Sequence, residues 1–154
     1  MRTSLALLLI MFLAGCATSD KDVVPVDENS GIVGYKIISG EIIFRFDPSL
    51  YSHATRNDNG QWQNLESIKI NDVSVAGDFN NWSINSWKMY PGENGLYEYT
   101  APLQEFRQRD EWKFKFVLNE FYWVEPPKDA LNKVPSGYHE ANRSFNLILR
   151  VGSQ

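Results

Sequence analysis

Residues 111–118 read EWKFKFVL, and this stretch decides the fold class. Its aromatic residues, Trp112, Phe114 and Phe116, stand at every second position, with lysines between them. In an extended chain such residues share one face, while their neighbours share the other. A period of two is typical of a strand that buries a single face. We therefore predict a β-strand here, with the aromatic residues in the core and the lysines on the solvated face.

Strand patterns recur on both sides of this stretch. The other segments of this kind are EIIFRF at 41–46, SIKINDVSVAG at 67–77, WKMYPGENGLYEYTAPL at 87–103, FYWVEPP at 121–127 and SFNLILRV at 144–151. The third of these contains Asn94-Gly95 between two aromatic-rich runs, which is a strong hairpin signal. No window shows a helical period. The chain of 154 residues therefore predicts one all-β domain, an antiparallel β-sandwich of the immunoglobulin-like type.

A polar segment at 51–66 interrupts the first two predicted strands. Asn59-Gly60 marks a turn within it, so the segment is either a long loop or an additional hairpin. Loops of this length in a compact domain are often functional. Trp62 lies in this segment and either folds back onto the sheet or adds to a binding surface.

The first sixteen residues have the layout of a secretory signal. Arg2 precedes an apolar run at 5–14, which is too short to span a bilayer as a helix. The following Gly15 and Cys16 complete a tetrapeptide, LAGC, that resembles the bacterial lipobox. This resemblance implies a lipoprotein with a lipidated Cys16. The alternative is an ordinary signal peptide with a cysteine by chance.

These features predict three regions: a lipoprotein signal peptide at 1–15, a flexible tether at 16–39, and the sandwich at 40–154. Ala17 stands after the cysteine in place of an Asp, which by enterobacterial sorting indicates the outer membrane within the cell envelope. Cys16 is the only cysteine, so a disulfide within the chain is excluded. Attachment to the membrane would depend on acyl chains, of which two or more hold stably.

The net charge of the chain argues against two classes of binding partner. The net charge is −4, and loss of Arg2 with the signal peptide makes it −5. An acidic chain without a basic cluster argues against nucleic acid as a partner. It also argues against electrostatic adhesion to anionic lipid.

One motif goes beyond the fold class. Residues 75–82 read VAGDFNNW and place a Trp at the end of a polar turn. Together with EIIFRFDP before it, and with the hairpin and the WVEP stretch after it, this order resembles carbohydrate-binding module family 48. That family includes the glycogen-binding domain of the AMP-activated protein kinase β subunit and the early-set domains of isoamylases, pullulanases and branching enzymes. The resemblance covers residues 40–151 and implies an early-set sandwich.

The resemblance also implies a set of sugar-binding residues. In that family two tryptophans and a lysine form a surface on which the sugar lies. The tryptophans correspond to Trp82 and Trp123, and the lysine corresponds to Lys115, with Lys113 as the alternative. The asparagine before the last strand corresponds to Asn146 or to Asn142. The hairpin before Trp123 reads Leu-Asn-Glu-Phe, where the family usually has Asp-Gly.

The residue types suit this chemistry. A pyranose has an apolar face of C–H bonds, which an indole matches with little loss of conformational entropy. Lys and Asn supply hydrogen-bond donors and acceptors for the hydroxyl groups. Two indoles set at an angle suit a curved α-glucan. Asp78 and the two Asn residues of the motif are expected to hold the turn, and Phe79 and Trp87 to pack in the core.

The first functional hypothesis is a non-catalytic envelope lipoprotein that binds an α-glucan or another polysaccharide, without a cofactor. The sequence shows neither a phosphate loop nor the catalytic barrel of starch enzymes, and its two histidines lack a metal-ligand pattern. The alternative is an early-set module that binds an envelope protein without sugar, as an accessory to a glycoside hydrolase.

Overall fold

The computed structural model describes residues 31–137 and 144–152. The predicted signal peptide at 1–15, the lipidation site Cys16 and the candidate sugar ligand Asn142 lie outside these residues. Their predictions are therefore neither supported nor opposed by the fold.

The described residues form an immunoglobulin-like antiparallel β-sandwich of two sheets. The strands are β1 (Tyr35–Ile38), β2 (Glu41–Phe46), β3 (His53–Arg56), β4 (Trp62–Asn64), β5 (Val73–Gly77), β6 (Tyr90–Pro91), β7 (Tyr97–Pro102), β8 (Glu111–Leu118), β9 (Tyr122–Val124), β10 (Lys133–Pro135) and β11 (Phe145–Arg150). The smaller sheet has the order β1-β2-β7-β6. The larger sheet has the order β10-β11-β8-β9-β3-β4, and β5 pairs with β8. The prediction of an all-β sandwich is confirmed.

Aromatic residues dominate the core between the sheets. Phe44 and Phe46 of β2 meet Phe114 and Phe116 of β8 at ring distances of 5.2 Å in each pair. Trp112 is buried as well, so the three aromatic residues of the alternating stretch all face the core, as predicted. Fully burying side chains of this size stabilises the fold by about 1.5–3 kcal/mol each.

The start of the motif at 75–82 is anchored in this core. The Phe79 ring stacks on the ring of Trp87 at 4.6 Å, and it also packs against Phe44 and Phe106. Both residues are partly buried against the core cluster, so the expectation that they pack there is confirmed. The anchored Phe79 sets the direction in which the following turn leaves the sheet.

The polar segment at 51–66 forms a hairpin. β3 and β4 pair with each other, and β3 also pairs with β9, so this hairpin extends the larger sheet by two strands. Ala54 and Leu65 are buried and attach it to the core. Of the two predicted alternatives, the additional hairpin is therefore correct.

The strand boundaries differ from the sequence patterns in three places. β1 lies within the segment predicted as tether, and its pairing with β2 buries Tyr35. At 67–77 only the second half is a strand, because the Asn119 side chain bonds the backbone of residues 69–72 and holds it as a loop. β10 has no pattern of its own and forms by pairing with β11.

Candidate functional site

The outer face of the larger sheet carries a cleft of about 690 Å³. All five candidate residues within the described part of the chain line it: Trp82, Lys113, Lys115, Trp123 and Asn146. They come from the turn after β5 and from β8, β9 and β11, which the sheet topology brings side by side. The remaining lining residues are polar: Thr55, Asn57, Asp78, Ser136 and Ser144.

The two indoles form one side of the cleft. The ring centroids of Trp82 and Trp123 are 6.2 Å apart, and their planes meet at 48°. Both side chains are partly buried, so neither is part of the core and neither projects alone into solvent. The pair presents two adjoining apolar surfaces set at an angle.

Trp82 is held in an unusual backbone conformation. Asn81 and Trp82 have φ of 53° and 58°, in the left-handed region that non-glycine residues rarely adopt. Such a conformation costs roughly 1–2 kcal/mol per residue. The Trp82 backbone N–H donates to the carbonyl of Gly77 at 2.9 Å, which closes the turn. Strained residues of this kind cluster at functional sites.

Asp78 fixes the Trp82 ring. Its Oδ1 accepts a hydrogen bond from the indole Nε1 of Trp82 at 3.0 Å, and its Oδ2 accepts one from the backbone N–H of Lys113 at 3.1 Å. Asn80 holds the turn itself, since its side chain bonds the backbone of Gly77 and Val75. The expectation that the polar residues hold the turn is thus confirmed for Asn80. Asp78 ties the Trp82 indole to β8, and Asn81 contributes its left-handed backbone conformation.

Trp123 is positioned by the hairpin between β8 and β9. The central residues Asn119 and Glu120 both have positive φ, 53° and 58°, as do the central residues of a type I′ turn. This is the conformation for which Asp-Gly is favoured, and here contacts with distant residues support it. Asn119 accepts hydrogen bonds from the backbone of residues 71 and 72, and Glu120 pairs with Lys88 at 2.8 Å.

The short strand β9 then separates its two aromatic side chains. Tyr122 packs against the core, while Trp123 lines the cleft on the opposite face. This is the alternation expected of a strand. The Trp123 indole Nε1 is 3.4 Å from Oδ1 of Asn57, which lies just after β3.

Lys115 departs from the prediction of a solvated lysine. It is 5% exposed, and its Nζ lies 2.6 Å from Oε1 of Glu125, which is 4% exposed. The Ser144 hydroxyl lies 2.8 Å from Nζ and 2.9 Å from the same carboxylate oxygen. Burial lowers the pKa of Lys115 below its usual value, and the charge of Glu125 opposes that shift. Lys113, in contrast, is exposed at the cleft edge as expected.

Two polar groups of the cleft have hydrogen-bonding capacity to spare. The Lys115 ammonium carries three donors, of which two are used by Glu125 and Ser144 within the described chain. The side-chain amide of Asn146 is largely buried and has no hydrogen-bond partner among residues 31–137 and 144–152. A ligand with hydroxyl groups would satisfy both.

Several residues that surround the candidate ligands in the cleft were not predicted from the sequence. Glu125 follows Trp123 by two residues, and this spacing places both on one face of a strand, so that it signals proximity to the site. Thr55, Asn57 and Ser144 carry no such signal, because they belong to segments distant in sequence. Only the pairing of β3 with β9 and of β11 with β8 brings them to the cleft.

The described residues contain no cluster of three His, Cys, Asp or Glu side chains that could hold a metal ion. They also form no helix that is both long and apolar enough to cross a bilayer. No protein-family model matches this chain, and no curated protein sequence matches it. The resemblance to carbohydrate-binding module family 48 accordingly remains a prediction.

Proposed function

We propose that the protein is a non-catalytic lipoprotein of the bacterial cell envelope that binds an α-glucan through the cleft on the larger sheet. The observation that supports this most strongly is the juxtaposition of Trp82 and Trp123 at 6.2 Å and 48°. Two adjoining indoles at this angle offer stacking surfaces to successive sugar rings of a curved chain. A rigid indole buries a large flat area against the apolar face of a sugar ring, and this burial favours binding.

Polar groups beside the indoles support the same ligand class. The spare donor of Lys115 and the amide of Asn146 lie in the cleft wall, where they would bond sugar hydroxyl groups. Lys113 at the edge adds a solvated cation. A cleft that combines stacking surfaces with several hydrogen-bond donors suits a polyhydroxylated ligand. Open, hydrated sites of this kind bind with micromolar to millimolar affinity, on the order of −8 to −4 kcal/mol.

The carboxylates support a binding role without catalysis. Hydrolysis of a glycoside normally requires two carboxyl groups that flank the bound sugar. Among the described lining residues the cleft has one carboxylate, Asp78, and both its oxygens accept hydrogen bonds that hold the wall. Glu125 does not line this cleft and is held in its ion pair with Lys115.

The envelope location is proposed from the lipobox-like tetrapeptide. Acylation of Cys16 would anchor many copies on one membrane, and multivalent attachment converts weak single sites into useful avidity. Metabolic labelling with radioactive palmitate tests this directly. Wild type should incorporate the label and Cys16→Ser should not; label in the variant would refute acylation at this residue.

Affinity for sugar is tested by retention of the purified protein on immobilised amylose. Wild type should be retarded, and Trp82→Ala and Trp123→Ala should each weaken binding roughly tenfold or more. Tyr90→Ala is the matched control, because this tyrosine is 74% exposed but lies on the other sheet. Asn146→Ala should also weaken binding, because it removes an amide that lines the cleft and bonds no described residue.

The proposal fails if folded wild type is not retained on amylose, glycogen or pullulan. It also fails if Trp123→Ala and Tyr90→Ala behave alike. A stoichiometric envelope protein that is captured by wild type and lost in the Trp123 variant would assign the cleft to protein recognition instead.

A further inference from the structure

A third tryptophan, Trp62, lies beside the cleft and is not needed to attach its hairpin to the core. Trp62 of β4 is 46% exposed, and the buried Ala54 and Leu65 already attach its hairpin to the core. The Trp62 ring makes an edge contact with the His53 ring at 5.6 Å and 62°. Its indole N–H donates to no residue of the described chain. The ring is therefore held in place while its surface stays open to solvent.

The strand register aligns Trp62 with the proposed stacking pair. Thr55 lies opposite Trp62 on one side and opposite Trp123 on the other. Residues directly opposite each other in an antiparallel pair project from the same face of the sheet. Two strand spacings separate the backbones of the two tryptophans, a distance of about 10 Å. Trp62 and Trp123 thus project from the same outer face, and Trp82 adjoins Trp123 there.

A second cleft of about 560 Å³ lies next to the first, and Trp62 and His53 line it. Glu125 also lines the second cleft, while its ion-pair partner Lys115 lines the first. The buried pair is therefore the shared wall between them. Lys133 adds a cation to the second cleft, where its Nζ lies 5.4 Å from the centre of the Phe145 ring.

We propose that the β3–β4 hairpin extends the binding face, so that Trp62 and His53 form an additional subsite for the continuing chain of a longer α-glucan. This inference rests on the proposed function of the first cleft. Trp62 stacks on a sugar ring beyond those held by Trp82 and Trp123, and His53 orients its indole. The hairpin thereby makes the protein selective for chain length.

Isothermal titration calorimetry with maltotriose and maltoheptaose on the purified full chain tests the proposal. The comparison is made between variants on the same ligand: wild type, Trp62→Ala, Trp123→Ala and the control Tyr90→Ala. A longer oligosaccharide can occupy one site in more positions along its chain, which raises its apparent affinity whichever variant is used. Trp62→Ala should bind maltotriose like wild type and maltoheptaose roughly tenfold more weakly. Trp123→Ala should lose affinity for both ligands, and Tyr90→Ala for neither.

The outcomes separate the two proposals. Equal affinity of Trp62→Ala and wild type for maltoheptaose overturns the additional subsite and leaves the first cleft in place. A similar loss on both ligands overturns it too, since Trp62 would then act on the first cleft itself. If wild type binds neither ligand, the proposed function fails and the subsite with it. Because Trp62 is exposed, the unfolding temperature of Trp62→Ala should match wild type, and Trp62→Phe should recover part of the affinity.

Discussion

Glu125→Gln tests the energetic role of the buried ion pair behind the cleft. In the wild type the Glu125 carboxylate accepts hydrogen bonds from Lys115, Ser144 and the backbone of Phe145, at 2.6, 2.9 and 3.0 Å. The variant keeps the shape of the side chain but leaves the Lys115 ammonium buried without its counter-charge. Breaking a buried pair in this way costs about 3–5 kcal/mol.

The expected change is large relative to the stability of such a domain, which is about 5–15 kcal/mol. For roughly 115 folded residues, 1 kcal/mol corresponds to about 4 °C in the unfolding temperature. The variant should therefore unfold about 12–20 °C below wild type in a calorimetric or circular-dichroism melt. The matched control is Glu111→Gln, which breaks an ion pair with Arg150 whose side chains are more than half exposed. It should cost less than about 1 kcal/mol.

The pH dependence gives a second readout. Burial lowers the pKa of Lys115, and the Glu125 charge that opposes this shift is absent in the variant, so the pKa falls further. The folded state then releases this proton at a lower pH than the unfolded state, whose lysine titrates near 10.5. Between the two pKa values the unfolded state binds more protons, so stability rises with pH. The deficit of the variant relative to wild type should therefore shrink as the pH rises towards 10.5.

A third variant completes the test. Lys115→Met combined with Glu125→Gln removes the unpaired charge, so the double variant should be more stable than Glu125→Gln alone. The reasoning is refuted if Glu125→Gln costs less than about 1 kcal/mol, or if its deficit is independent of pH. It is also refuted if adding Lys115→Met makes the deficit larger.

Three further predictions concern single side chains. The buried Tyr51 hydroxyl has no hydrogen-bond partner in the described chain, so Tyr51→Phe should stabilise by about 1 kcal/mol in urea unfolding. Because burial raises the Tyr51 pKa, the wild type should also lose stability above about pH 10, and the variant less; a destabilised variant would contradict this. Asp78→Ala removes the carboxylate that holds the Trp82 indole, so it should lower the free energy of unfolding by about 1–3 kcal/mol. It should also weaken retention on amylose. An unchanged unfolding temperature and unchanged retention would refute this role of Asp78. Gly77→Ala would place a Cβ 2.5 Å from a backbone oxygen of β8, so it should lower the free energy of unfolding by about 1–3 kcal/mol. At Gly92 the nearest contact of a Cβ is 3.6 Å, so Gly92→Ala should be tolerated. Equal unfolding temperatures of the two variants would refute this reasoning.

Local patterns in the sequence determined the class of the fold. The period of two at 111–118 identifies a strand and the face that it buries, because side chains of an extended backbone alternate whatever the neighbouring strands are. The Asn94-Gly95 hairpin and the packing of Trp112 follow from equally local rules. The motif at 75–82 predicted a turn that presents Trp82, since its polar residues bond the backbone beside them.

The tertiary structure decided which residues share the cleft, and which of them are buried or paired there. Lys115 reads as solvated in the alternating pattern, yet it is buried, because Glu125 and Ser144 reach it from segments ten and 29 positions away. Likewise, the sequence left Trp62 between two alternatives, and the pairing of β3 with β9 aligned it with Trp123. Periodicity describes which way a side chain points along its own strand. Register and long-range pairing decide what it meets there, and these depend on the whole folded chain.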